Sequence, residues 1–385
     1  MRFEFATANR ILFGAGMLAE VGPQAAAYGK RALVAAGVAG VVLDKLLEGL
    51  AAVGVFYSLL PVEGEPTIAS IRSGLELVKS SGVDLTIGIG GGSALDTAKA
   101  IGILARNTGD ITDYLEVIGK GKSLQNPGLP CIAIPTTAGT GAEVTRNAVL
   151  GSPEQQVKVS LRSPFMLPRL AIVDPETTYS LPPEVTASTG LDALTQLIEP
   201  YVSNAANPLT DAFCEAGMPR ASRSLLRACE SGSDAAARED MCLASLFGGL
   251  ALANSKLGAV HGFASVLGGC LTNAPHGAIC ARLLPVVMEA NIRALQERQA
   301  NSPALRRYQV TAVLLNGKPD ATAEDGRDWV EGLCRTLHIP SLSAYGLERQ
   351  AFPDIIEKSA KASSTKGNPI VLTGEEMQEI LERAL

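Results

Sequence analysis

The chain has 385 residues, 46% of them hydrophobic and 19% charged, which is long and apolar enough to bury a sizeable core and excludes disordered and fibrous classes. Lys and Arg total 33 against 39 Asp and Glu, a net charge of −6 without basic runs, which argues against a nucleic-acid or membrane-surface partner. Aromatics at 4% are too few for stacking on single-stranded nucleic acid, the longest apolar run (33–43) is about half a bilayer span, and Glu4 stands where a signal peptide would be apolar.

In chain order, RALVAA (31–36), VFYSLL (55–60), DLTIGIG (84–90), CIAIP (131–135) and LAIVD (170–174) read as strands. Each is a brief apolar run bounded by turn residues, as expected of strands covered on both faces. IASIRSGLELVKSSG (68–82) and SALDTAKAIGILARN (93–107) read as helices between them. Strand and helix in alternation predict a parallel α/β sheet. Pro182-Pro183 marks a hinge, since successive prolines continue neither helix nor ladder. Beyond it the strand signal nearly vanishes and Ala/Leu-rich helical stretches follow, among them LDALTQLIEPYV, DAFCEAGMPRASRSLLRAC and REDMCLASLFGGLALANSKLG. An α/β domain over 1–180 and an all-helical domain over 181–385 are therefore expected. Seven scattered cysteines (131, 214, 229, 242, 270, 280 and 334) form no CxxC pair and read as free thiols in a reducing cytoplasm.

Two loops of the first half suit a nucleotide. In IGIGGGSALDTAKA (87–100) a buried strand passes through Gly90, Gly91, Gly92 and Ser93 straight into a helix. Glycines there let the backbone approach a ligand, and the free N–H groups of the helix start attract an anion such as a diphosphate. The last position is Ser93, so GxGxxG is not completed, and a tight turn without a ligand would look similar. Asp96 and Lys99, one turn on, read either as a helix-surface ion pair or, for Asp96, as a contact to a nicotinamide ribose or amide. In IPTTAGTGAEVT (134–145), Thr136, Thr137, Thr140 and Thr145 supply hydroxyls, and Gly139 and Gly141 expose N–H groups, a set suited to phosphate and ribose oxygens. Ligands bind at strand carboxyl ends in such sheets.

The second half carries two of the three histidines, His261 and His276, fifteen residues apart. Upstream, Asp192 and Gln196 are i,i+4, on one face of a helix. Asp, His and His suit a divalent metal with an open position; a structural histidine is the plain alternative for each.

GGGSALDTAKA (90–100), PTTAGTGAEVT (135–145), LAIVDPETTYSLPPEVTASTGLDALTQLIEP (170–200), VHGFASVLG (260–268), PHGAICARLLP (275–285) and KGNPIVLTGEEMQEIL (366–381) together carry a resemblance. Over essentially its full length the chain resembles the iron-containing (group III) alcohol dehydrogenases. That resemblance implies a dehydroquinate synthase-like architecture, with a dinucleotide-binding α/β domain, an all-helical domain and the active site in the cleft between them. It implies hydride transfer between NAD or NADP and a small alcohol, aldehyde or ketone, with iron or zinc polarising the substrate oxygen, in a homodimer. The cofactor contacts it implies are Gly37, Gly90, Gly91, Gly92, Ser93, Asp96, Thr136, Thr137, Thr140 and Lys158.

The family's metal quartet is Asp, His, His, His. Asp192, His261 and His276 match it, Gln196 replaces the second ligand with a harder and weaker one, and Ser265 replaces a further family histidine. Either zinc or iron binds Asp192, His261 and His276 with Gln196 or water completing the set, or His261 or His276 acts without metal as general acid. Gly37 occupies the place where many members carry Asp, so use of NADPH beside NADH is expected. Phe247, Leu257, Phe263 and Leu267 either line an apolar pocket or pack the core. Alternatives are a maleylacetate reductase-like enzyme, a lyase of the dehydroquinate synthase type, and a nucleotide-binding protein with a decayed site.

Overall fold

The five apolar runs become strands in the computed structural model of the chain, which describes residues 2–116, 118–155, 157–271 and 273–385. The chain divides into two compact units, Ala6–Ser180 and Leu181–Leu385, the second joined by the N-terminal residues up to Phe5.

The first unit holds β1 (Ile11–Phe13), α1 (Val21–Ala26), β2 (Arg31–Ala36), α2 (Val41–Ala52), β3 (Phe56–Pro61), α3 (Ile68–Ser81), β4 (Leu85–Gly90), α4 (Gly92–Leu104), β5 (Cys131–Pro135), β6 (Asn147–Ser152), β7 (Val157–Arg162) and β8 (Leu170–Val173). Six strands make one parallel sheet in the order β1-β8-β5-β4-β2-β3, while β6 and β7 pair as an antiparallel hairpin. β1, β6 and β7 are additions to the sequence reading. Asp174 falls outside β8 because its carboxylate accepts the N–H groups of Gly16, Leu18 and Glu176 and so opens a turn.

The central strand β4 is buried throughout. Leu85, Ile87 and Ile89 join Val34, Ile132, Ile134 and Ile172 in a core closed by Val21, Leu46 and Leu50 of α1 and α2. Its other face, Thr86, Gly88 and Gly90, receives α4 so closely that a Cβ on Gly88 would stand 3.0 Å from Leu95 Cα. β2 leads to β3 on one side and β4 to β5 on the other. The connections after these adjacent strands therefore diverge, which makes a topological switch point at their carboxyl ends.

The second unit is helical: α5 (Pro183–Val202), α6 (Pro208–Glu230), α7 (Ala235–Asn254), α8 (Ala259–Cys270), α9 (His276–Arg298), α10 (Pro303–Asn316), α11 (Ala323–Thr336), α12 (Phe352–Lys361) and α13 (Gly374–Ala384), with short 3-10 turns. Among its described residues there is no strand. Pro182 caps α5 and Pro183 occupies its first turn, where a fixed φ and a missing N–H cost nothing, so the pair starts a helix. No single helix among the described residues is long and apolar enough to cross a membrane.

Candidate active site

Three helices of the second unit bring five polar side chains together. Asp192 and Gln196 lie one turn apart on α5, His261 is in the first turn of α8, and His276 opens α9 with Cys280 one turn later. One donor atom from each of Asp192, His261, His276 and Cys280 lies within 4.8 Å of the others. His261 Nε2 is 3.4 Å and His276 Nε2 3.8 Å from Asp192 Oδ1, and Cys280 Sγ is 3.5 Å from His276 Nε2. Gln196 Nε2 donates to Asp192 Oδ2 at 3.0 Å. Asp192 Oδ1, His261 Nε2 and Gln196 Oε1 are buried with no hydrogen-bond partner. Buried polar atoms are rarely left so, and a carboxylate, two imidazoles and a thiol fit a divalent cation.

Charges within the cluster set its protonation. Burial opposes ionisation of Asp192, but contact with His261 and the charges of both histidines prevail and hold it below the usual carboxylate range. Burial likewise opposes a charged His261, yet Cys280, Asp192 and Glu199 outweigh it and hold the imidazole well above its ordinary value. The Cys280 charge raises His276 in the same sense, against its burial.

Glu199 is a functional residue that reading the sequence missed. Its Oε2 lies 2.7 Å from His261 Nδ1, and its Oε1 accepts the Val260 N–H at 2.7 Å. With Nδ1–H directed at the carboxylate, Nε2 is the nitrogen that faces Asp192, and a cation binding there takes the place of its proton. The only sequence signal was phase, since 192, 196 and 199 share a helix face. Asn368, in the KGNP segment, accepts the Ala259 N–H and thereby helps to cap α8. Gly277 lets α9 approach α5; a Cβ there would stand 2.3 Å from the Ser188 carbonyl oxygen.

Other candidates of this unit lie outside the cluster. Phe263 and Leu267 are fully buried. Phe247 packs on Phe213 with ring centroids 5.7 Å apart and lies under Arg220. Leu257 is half-buried. Ser265 is exposed and donates to the Gly262 carbonyl, and His338 sits after α11 with φ 52°.

In the first unit the glycine-rich turn lies at the switch point. Gly90 has φ +148°, and a Cβ on it would meet Gly37 Cα at 3.0 Å, so the turns after β2 and β4 touch. Gly91 caps α4, and Gly92 and Ser93 form its first turn, whose N–H groups face outward from the helix end. Thr136 N–H donates to the Gly90 carbonyl at 2.9 Å. Thr137 and Thr140 flank Gly91 and Gly92, whose added Cβ atoms would meet them at 3.5 and 2.9 Å. The two loops anticipated from sequence are thus one surface, with exposed Gly37 at its side.

Asp96 and Lys99 pair at 2.9 Å, the lysine fully buried and the carboxylate half-buried, in place of the surface pair that was one expectation. Asp96 Oδ2 also accepts the Val149 N–H, and Lys99 Nζ donates to the carbonyls of Ala142 and Asn147 and to Thr145 Oγ1. The pair ties α4 to the threonine loop and to β6. Lys158, on β7, pairs with Glu65 at 2.6 Å.

Residues 8–175 match the family model described as iron-containing alcohol dehydrogenase, and residues 186–385 match that of the C-terminal part of the Fe-containing alcohol dehydrogenase family. Alcohol dehydrogenase 4 of Schizosaccharomyces pombe is 38% identical over 380 residues, 97% of this chain and 87% of that protein. The 1,3-propanediol dehydrogenase of Klebsiella pneumoniae is 35% identical over 390 residues, 99% of this chain and 98% of that one. A crystal structure of a 1,3-propanediol oxidoreductase superposes with a TM-score of 0.93 at 33% identity, covering 100% of both chains. Both halves being matched, the chain belongs to the iron-containing alcohol dehydrogenase family and is an oxidoreductase of the alcohol dehydrogenase type.

Proposed function

We propose that the chain interconverts a small alcohol and its aldehyde or ketone by hydride transfer with NAD(P)H, using a divalent metal held by Asp192, His261 and His276. The observation that carries this is the pair of buried, unpartnered atoms Asp192 Oδ1 and His261 Nε2, 3.4 Å apart and beside His276. A metal bound there supplies Lewis-acid polarisation of the substrate oxygen. Glu199 holds His261 in the tautomer that leaves Nε2 free to ligate. His276 keeps 34% of its side chain exposed against 2% for Asp192, so it stands on the open side, where substrate enters. Gln196 orients the carboxylate from behind.

Gly90, Gly91, Gly92 and Ser93 accept the cofactor diphosphate on the helix start, and Thr136, Thr137 and Thr140 add hydroxyls to its oxygens. Asp96, one turn into α4, and Lys158, on β7, are the further proposed cofactor contacts, each already paired within the unit. Gly37 offers neither a carboxylate for a ribose 2′-hydroxyl nor a repulsion to a 2′-phosphate, so NADPH serves beside NADH. Short alcohols and diols are the first substrates, in keeping with the relative named as a 1,3-propanediol dehydrogenase. A cytoplasmic location is supported by seven cysteines, none of them in a disulfide and five of them buried.

The test is oxidation and reduction of a panel of small alcohols, diols and aldehydes with both cofactors, on protein stripped by chelator and then given Zn²⁺ or Fe²⁺. Turnover that returns only with metal is expected. Equal turnover of stripped protein would overturn the metal reading and pass the acid role to His261 or His276.

A further inference from the structure

We propose that Cys280 is the fourth metal ligand, making an Asp/His/His/Cys centre that favours zinc over iron. The inference rests on the metal reading above and concerns which atom completes the donor set. A tetrahedral ion with bonds of about 2.0–2.3 Å sets its ligand atoms about 3.3–3.8 Å apart. Three separations in the cluster are 3.4, 3.8 and 3.5 Å, the last between Cys280 Sγ and His276 Nε2. Cys280 and His276 are i,i+4 on α9, so one helix face presents both.

Position 196 supplies a weaker donor. The Gln196 Nε2 is held by Asp192 Oδ2, which leaves only Oε1 to face an ion, and a carboxamide oxygen is a neutral, hard ligand. Cys280, fully buried, gives a thiolate on coordination, its proton leaving to solvent. Thiolate and Asp192 carboxylate together balance a divalent charge in a buried place, where net charge is costly. Soft sulfur then moves preference toward Zn²⁺ and Co²⁺.

The experiment loads chelator-stripped full-length protein with Co²⁺ and records its absorption spectrum. An intense near-ultraviolet thiolate-to-cobalt band beside the visible ligand-field bands is expected. Cys280→Ser should lose the near-ultraviolet band, keep the visible ones, and bind zinc more than about 10-fold more weakly in a chelator competition. Gln196→Ala should keep the thiolate band. Zinc-edge X-ray absorption of the unaltered protein gives a second reading that needs no variant: a single sulfur at about 2.3 Å. Visible bands without the thiolate band, a band that survives Cys280→Ser, or no sulfur around zinc would overturn the thiolate ligand while leaving a metal enzyme. No bound cobalt or zinc at all would overturn the metal reading with it.

Discussion

Glu199 acts on two atoms at once: one oxygen accepts the Val260 N–H in the first turn of α8, and the other holds His261 Nδ1. Glu199→Gln keeps an acceptor for Val260 and removes the charge that fixes the imidazole. It should weaken zinc binding by about 10–100-fold, read by chelator competition, with melting little changed; unaltered affinity would show that His261 is oriented by something else. Glu143 offers a test by pH. It is fully buried, and burial pushes its carboxyl up to about 7, with its own N–H and Lys99 opposing. The folded chain therefore holds this proton more tightly than the unfolded chain, and stability falls as pH rises from about 4.5 to about 7, by about 3 kcal/mol in all. Glu143→Gln should remove that slope and exceed the parent protein's stability at pH 8, measured by urea unfolding; a parent without the slope would sink the assignment. Asp192, His261 and His276 were legible from residue type and spacing. Glu199 and Cys280 were not, because an acid in an apolar helix and one thiol among seven look ordinary until helix phase is counted from Asp192 and His276.

The elements legible in the sequence were those whose pattern is local. β2, β4, β5 and β8 are uninterrupted apolar runs because both faces are covered. β6 and β7 bury one face only, setting Ala148, Leu150, Val159 and Leu161 into the core beside α3 and α4. VKVSL accordingly alternates apolar and polar residues, and a short alternating run is a weaker signal than a continuous one. The approach of α9 to α5 was illegible as well, since it depends on one glycine meeting a backbone far away in sequence. Gly277→Ala puts a methyl into the Ser188 carbonyl and must move the first turn of α9, which carries His276. It should cost about 1–3 kcal/mol and lower metal content per chain, measured by melting and metal analysis. Full metal content with unchanged melting would mean that this close approach does not hold the site.

At the scale of the molecule the two chemistries are carried by different units. Every proposed dinucleotide contact lies within Ala6–Ser180, and every proposed metal donor lies within Leu181–Leu385. The lesions should therefore separate. Gly37→Asp places a carboxylate at the turn after β2, where it repels a 2′-phosphate and accepts from a 2′-hydroxyl. It should shift the preference toward NADH, read as the ratio of kcat/KM for the two cofactors, with metal content unchanged. His261→Ala removes one of the buried unpartnered atoms and leaves Asp192, His276 and Cys280 to hold the ion. It should lower kcat by roughly 100-fold or more, as loss of a group that stabilises developing oxyanion charge does. Its affinity for NADPH, read by fluorescence titration, should match the parent protein's. Loss of NADPH binding in that variant would place His261 in the cofactor site and undo the division of labour between the units. Intact binding with lost turnover would locate the defect in the handling of the substrate oxygen, the step to which His261 and Asp192 are assigned.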